Sequence, residues 1–137
     1  MDKLNVKDLV PHRDTMLLLD EVYNFTDTSA EGSYRVKGDE FFLDGHYPMQ
    51  QIVPGSILCE IMAQLTAAFV GYTRKIKGIP IVAEIKNAKF KKLVLPGDIL
   101  VIKMKAIKDS FRVLYAMCFV YVKNELVATT ELTIAVK

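Results

Sequence analysis

The sequence predicts an α+β domain, an antiparallel β-sheet curled around one long central helix, and three observations predict it. Apolar residues recur at helical spacing from Gly55 onward, four β-branched and aromatic runs follow that stretch, and two shorter extended runs precede it. Strands that follow one another through short turns pair antiparallel, and a helix apolar over most of its surface needs a sheet to wrap it. A chain of 137 residues, 51% hydrophobic and 25% charged, holds one domain with one core and is neither disordered nor fibrous.

The first two strands are expected at residues 17–23 and 32–37, joined through the polar turn Thr26-Asp27-Thr28-Ser29. Between Asp39 and Pro54 lies a shaped loop, because Pro48 and Pro54 push the residues before them away from helix. The helix opens at Gly55, with Ile57, Leu58, Ile61, Met62, Leu65, Ala68 and Phe69 on its apolar face. Its small residues Ser56, Ala63, Ala67 and Gly71 allow close packing. Arg74, Lys75 and Lys77 before Gly78 suit a cationic last turn with a glycine cap, so the helix is expected to run about 23 residues.

Four strands then follow over 81–90, 99–107, 111–122 and 126–136, broken at Pro96-Gly97-Asp98, Lys108-Asp109-Ser110 and Lys123-Asn124. Lys103 and Lys105 alternate with Ile102 and Met104, and Glu131 and Thr133 with Leu132 and Ile134, so each of those strands has one wet face. The run Leu114 to Val122 is apolar on both faces. It fits a strand covered by the helix on one side and by a second subunit on the other, or one buried centrally within a larger sheet.

Composition excludes several classes of function. Eighteen Lys and Arg against sixteen Asp and Glu leave a formal charge of +2, too balanced to point to nucleic acid. Cys59 and Cys118 lack metal-ligand spacing and sit in apolar runs, as reduced core cysteines do. The first residues carry no signal-peptide pattern, and the apolar stretch 57–73 is interrupted by Glu60 and Gln64 and falls short of a bilayer span. A cytoplasmic protein without membrane insertion is expected. No phosphate loop, zinc ligand set or Ser/His/Asp nucleophile pattern supports a cofactor, a metal or covalent catalysis.

The residues able to carry chemistry are few. His46 stands in the shaped loop before Tyr47-Pro48, and the other histidine, His12, precedes the first strand, where turn packing explains it. Glu60 is the lone charge on an otherwise apolar helix, one turn before Gln64 on the same side, which marks either a functional carboxyl or an exposed stripe. Gly55 opens the helix, so its N–H belongs to the unsatisfied first turn and suits an oxyanion or an ordinary solvated start.

Gly45-His46-Tyr47-Pro48, then Pro54-Gly55-Ser56-Ile57-Leu58 running into Glu60-Ile61-Met62-Ala63-Gln64, resembles the signature of the 3-hydroxyacyl-[acyl carrier protein] dehydratases of fatty acid synthesis. Pro11-His12-Arg13 with Leu17-Leu18-Leu19-Asp20, and Lys89-Phe90-Lys91-Lys92 with Pro96-Gly97-Asp98, extend the likeness over nearly the whole chain. The resemblance implies the hot-dog fold and elimination of water from a carrier-bound 3-hydroxyacyl thioester. In that reading His46 is the base at the α-carbon, Glu60 the acid for the departing hydroxyl, and the Gly55 N–H the donor to the thioester carbonyl. No cofactor or metal is implied.

Such an acid must hold its proton at pH 7, which a dry apolar setting beside Ile57, Ile61 and Leu65 favours, while Gln64 orients the carboxyl. The resemblance also implies a homodimer whose site takes the histidine and the acid from different subunits, with assembly into trimers of dimers left open. The partner is an acyl carrier protein, an acidic protein that Lys86, Lys89, Lys91 and Lys92, joined by Arg74, Lys75 and Lys77, would dock. The chain departs from the family pattern at Asp14-Thr15 and at Met49-Gln50-Gln51, away from the catalytic positions. Two other readings remain: a hot-dog thioesterase in which Glu60 activates water, and a non-catalytic acyl-chain or carrier-binding subunit.

Overall fold

The computed structural model describes residues 4–11, 13, 16–43 and 50–137. In chain order it contains β1 (Glu21–Tyr23), β2 (Ser29–Arg35), α1 (Gly55–Phe69), β3 (Pro80–Phe90), β4 (Ile99–Ser110), β5 (Val113–Val122) and β6 (Glu125–Val136). The strands form one antiparallel six-stranded sheet in the order β1-β2-β4-β5-β6-β3. Register slips within the β3–β6, β4–β5 and β5–β6 pairs bend the ladder, which lets so flat an element curl around a helix.

The sheet's concave side and α1 share one core. Leu58 and the unbroken run Ile61 to Phe69 are buried, packed on Leu100, Ile102 and Met104 of β4, Leu114, Cys118 and Val120 of β5, and Leu132 of β6. The helix is long and apolar enough to cross a membrane by those criteria, and its apolar window is 67% buried inside the fold. Cys59 and Cys118 are free and buried; burial pushes the Cys118 thiol up to about 12 despite a contact with the Thr66 hydroxyl.

Several boundaries differ from the sequence expectation, each for a physical reason. The first strand begins at Glu21 rather than Leu17, because the Leu18 N–H and the Met16 carbonyl are taken by the Gln64 side chain instead of a neighbouring strand. The second strand is Ser29–Arg35, earlier than 32–37, because Ser29 and Ala30 pair with Lys105 and Met104. The helix leaves α geometry at Phe69, continues as a π-helical turn Val70–Arg74, and ends after 20 residues on Lys75, whose left-handed φ of 53° places its N–H on the Val70 carbonyl. Gly78 is therefore not the cap. The polar triplet Lys108-Asp109-Ser110 is not a turn: it pairs with Tyr115, Leu114 and Val113, and the hairpin turns at Phe111-Arg112. Polarity there reports exposure at the sheet's end.

Burial along β5 alternates, although its sequence does not. Leu114, Ala116, Cys118 and Val120 face the helix, while Tyr115, Phe119 and Tyr121 are half-buried on the outer face between the neighbouring strands β4 and β6. The larger open surface is β3, an edge strand exposed along nearly all of its length, including Ile81, Val82, Ile85 and Phe90.

Candidate active site

Two features of α1 frame the candidate site, its open N-terminus at Gly55 and Glu60, whose backbone position is about 7.5 Å further along the axis. Pro54 precedes the helix in extended conformation and provides no side-chain cap, so the leading N–H groups at Gly55 and Ser56 are left to whatever occupies that end. The aromatic ring of Phe90 lies directly over Gly55: a Cβ added there would come within 2.9 Å of the ring. A side chain at Gly55 would have to displace the ring. Together with Pro54, Leu58, Lys91 and Lys92, these two residues line a cavity of about 350 Å³ at the helix start.

Glu60 is half-buried on the helix, beside the buried Ile61. Its partner Gln64 has no exposed surface. The Gln64 oxygen accepts the Leu18 N–H at 2.8 Å, which fixes the amide's orientation, and its nitrogen then donates both to the Met16 carbonyl at 2.6 Å and to Glu60 Oε2 at 2.9 Å. Every polar atom of the buried amide is engaged, so the carboxyl is held by a group that cannot itself move. The expected orienting role of Gln64 has this geometry behind it. Glu60 is not among the residues lining the cavity at Gly55. His46 and His12 lie outside the described residues, as do Asp14-Thr15 and Met49.

The four lysines expected to dock a carrier do not form one cluster. Lys91 and Lys92 rim the Gly55 cavity, with Lys92 ion-paired to Glu125. Lys86, roughly 16 Å further back along the strand, pairs with Glu84 at 3.7 Å and lines a separate cavity with Lys108 and Tyr115. Arg74 is engaged by Asp109 and the Asp27 carbonyl. Among the described residues, no three His, Cys, Asp or Glu side chains converge closely enough to hold a metal ion.

One cluster had no sequence signal beyond an acid two residues after a glycine. Glu40 accepts hydrogen bonds from the Tyr34 hydroxyl at 2.6 Å, the Lys37 N–H at 2.9 Å and the Gly38 N–H at 2.8 Å. Burial alone would raise the Glu40 carboxyl, but these donors outweigh it and hold the group below the usual carboxylate range. Burial, reinforced by Glu40, pushes the Tyr34 phenol well above its ordinary value, so it remains a donor.

Residues 10–131 match the model of the FabA-like domain. The chain belongs to the FabA-like family. Two FabA-like relatives show how far the likeness runs: the 3-hydroxyacyl-[acyl-carrier-protein] dehydratase FabZ of Caldicellulosiruptor saccharolyticus is 33% identical over 138 residues, covering 99% of each chain. The enzyme of the same name from Pseudothermotoga lettingae is 33% identical over 132 residues, covering 96% of this chain and 94% of its own. Among solved structures, the dehydratase heterocomplex ApeI:P of Xenorhabdus doucetiae superposes with a TM-score of 0.87 at 20% identity, covering 98% of this chain and 91% of that one. A hypothetical thioesterase with coenzyme A from Streptococcus pneumoniae gives 0.68 at 13% identity, with 85% and 84% covered. Both share the hot-dog fold, so the architecture alone does not choose between dehydration and thioester hydrolysis.

Proposed function

We propose that the chain is a 3-hydroxyacyl-[acyl carrier protein] dehydratase of fatty acid or related acyl-chain synthesis. The observation that carries the reading is Glu60, a helix carboxyl locked by a fully buried glutamine one turn on, in a FabA-like chain related over its whole length to FabZ dehydratases. His46 removes the proton from the substrate's α-carbon. The C–H electron pair becomes the new double bond, the C3–O bond breaks, and the hydroxyl leaves as water with the proton from Glu60. The Gly55 N–H at the helix start donates to the thioester oxygen, where enolate charge develops. Proton return from His46 to Glu60 through solvent resets the site, and no electrons are exchanged with an acceptor.

Glu60 is half-buried in a single chain, and a second subunit would cover it further. We assign the dimer contact to the open edge of β3, where Ile81, Ile85 and Phe90 are exposed and one side of the backbone ladder is unpaired. The base from one protomer would then meet the acid from the other. Lys91 and Lys92, at the rim of the Gly55 cavity, are the best placed of the basic residues to receive an acidic carrier. Two free buried cysteines suit a reducing compartment, and the cytoplasm is the expected location.

The test is hydration in reverse. Purified protein given an enoyl thioester and water is expected to bleach the conjugated-alkene ultraviolet absorbance, and His46→Ala and Glu60→Gln are each expected to stop the bleaching with the fold intact. Release of free thiol would establish a thioesterase instead, and neither signal would leave a binding subunit.

A further inference from the structure

The segment that carries His46 leaves the sheet at the end of β2 and returns at Pro54, and its roots are held by more than chain connectivity. Tyr34 is an inward residue of β2, 3% exposed, whose hydroxyl reaches past the strand end to Glu40. The same carboxylate gathers the N–H groups of Lys37 and Gly38, closing a turn in which Gly38 takes a φ of +116°, a conformation that side chains resist. From the far end of the segment, the Gln51 amide donates to the Gly38 carbonyl at 3.3 Å. The two ends of residues 39–50 therefore meet at Gly38.

Each root is also tied to the body of the fold. Val36 exchanges hydrogen bonds with Asp98 and Gly97, Phe42 and Leu43 are buried in the core, and the Val53 N–H donates to the Val94 carbonyl one residue before Pro54. Beside the packing of Phe42 and Leu43, the Tyr34–Glu40 hydrogen bond thus joins the buried sheet to the first residues of the segment, within a frame that also fixes the start of α1. A base carried between two chain ends is positioned only if those ends are fixed, since a displacement of about 1 Å can cost on the order of 100-fold in rate.

We infer that the Tyr34–Glu40 pair is a positioning device for the general base: it fixes the root of the segment bearing His46 against the sheet of its own protomer without touching substrate. The inference rests on the dehydratase reading for its catalytic part. Because the carboxylate accepts three donors, the pair acts as a unit, and removing either member releases the same contact. Asp39, next to Glu40, is exposed and is the neighbouring carboxylate that should not share the role.

The experiment compares wild type with Tyr34→Phe, Glu40→Gln, the double variant and Asp39→Asn, by two readouts at a temperature where circular dichroism shows every protein folded. Hydrogen–deuterium exchange of a peptide spanning 39–53 is expected to quicken about tenfold or more in both single variants, with β4 to β6 unchanged and Asp39→Asn like wild type. In enoyl-thioester hydration, kcat is expected to fall about tenfold or more with KM within about twofold, and the double variant to be no slower than the slower single one. Unchanged exchange in the 39–53 peptide would overturn the clamp. Quickened exchange with kcat intact would overturn its catalytic role and leave a structural tie. A wild type that hydrates nothing would instead overturn the dehydratase reading, with the exchange data still deciding whether the clamp exists.

Discussion

Gln64 donates to Glu60 at 2.9 Å while its own oxygen is pinned by the Leu18 N–H at 2.8 Å, so a carboxyl on the helix is tied through one amide to the segment leading into β1. Gln64→Leu keeps the volume but leaves the Leu18 N–H and the Met16 carbonyl without their partner in the core. Each such group costs about 1–3 kcal/mol, so urea denaturation is expected to show a stability loss of about 2–6 kcal/mol. The hydration rate per folded molecule should fall as well, because Glu60 loses the donor that aims it.

The proposal that base and acid come from different protomers makes a further demand. A dimer of one His46→Ala chain and one Glu60→Gln chain has one ruined site and one site with both groups intact. Random mixing gives half heterodimers, so co-refolded protein should recover about a quarter of wild-type turnover from two inactive parents. No recovery from a verified heterodimer would place both groups in one chain.

The helix and the four strands after it were legible because their signals are periodic: apolar spacing and β-branched runs report burial, and burial defines these elements. What misled was polarity used as a turn signal. Lys108, Asp109 and Ser110 are polar because the ladder continues past the part of the sheet that the helix covers. The start of the first strand was lost to a side chain, since no local pattern announces that Gln64 will take the Leu18 N–H across 46 residues. Of the site, the Glu60–Gln64 pair was readable from one-turn spacing. The seat of Phe90 on Gly55 and the Tyr34–Glu40 contact depend on how separate elements meet.

That seat is testable. Gly55→Ala puts a Cβ within 2.9 Å of the Phe90 ring, so either the ring or the helix start must shift. The helix gains propensity from alanine, which predicts little loss of stability, whereas KM for the thioester should rise several-fold. Adding Phe90→Ala removes the clash, and the double variant should bind better than Gly55→Ala alone, a coupling that a double-mutant cycle in KM reads directly.

Glu40 predicts a pH dependence with a defined sign. Its carboxyl is held below its ordinary value of 4.5 in the folded chain, so it binds fewer protons folded than unfolded. The stabilisation is fully present above about pH 4.5 and is lost as pH falls through the lowered value. Glu40→Gln should therefore be less stable than wild type at neutral pH by a constant amount, and the gap should close on acidification below about pH 4.5. Parallel melting curves from pH 3 to 7 would show it, and a gap independent of pH would remove the ionised carboxylate from the account.

The β3 edge separates assembly from folding. Ile85 pairs in register with the buried Leu132, yet it is 48% exposed on the edge strand. In a lone chain Ile85→Lys costs little, within about 0.5 kcal/mol for an exposed site. In a dimer joined along β3 the same lysine meets its symmetry mate's strand and buries a charge without a partner, which costs several kcal/mol. Sedimentation should then find folded monomers with wild-type circular dichroism and no hydration activity. A variant that stays dimeric and active would move the interface away from β3, with the outer face of β5, where Met117 is 38% exposed, as the surface to probe next.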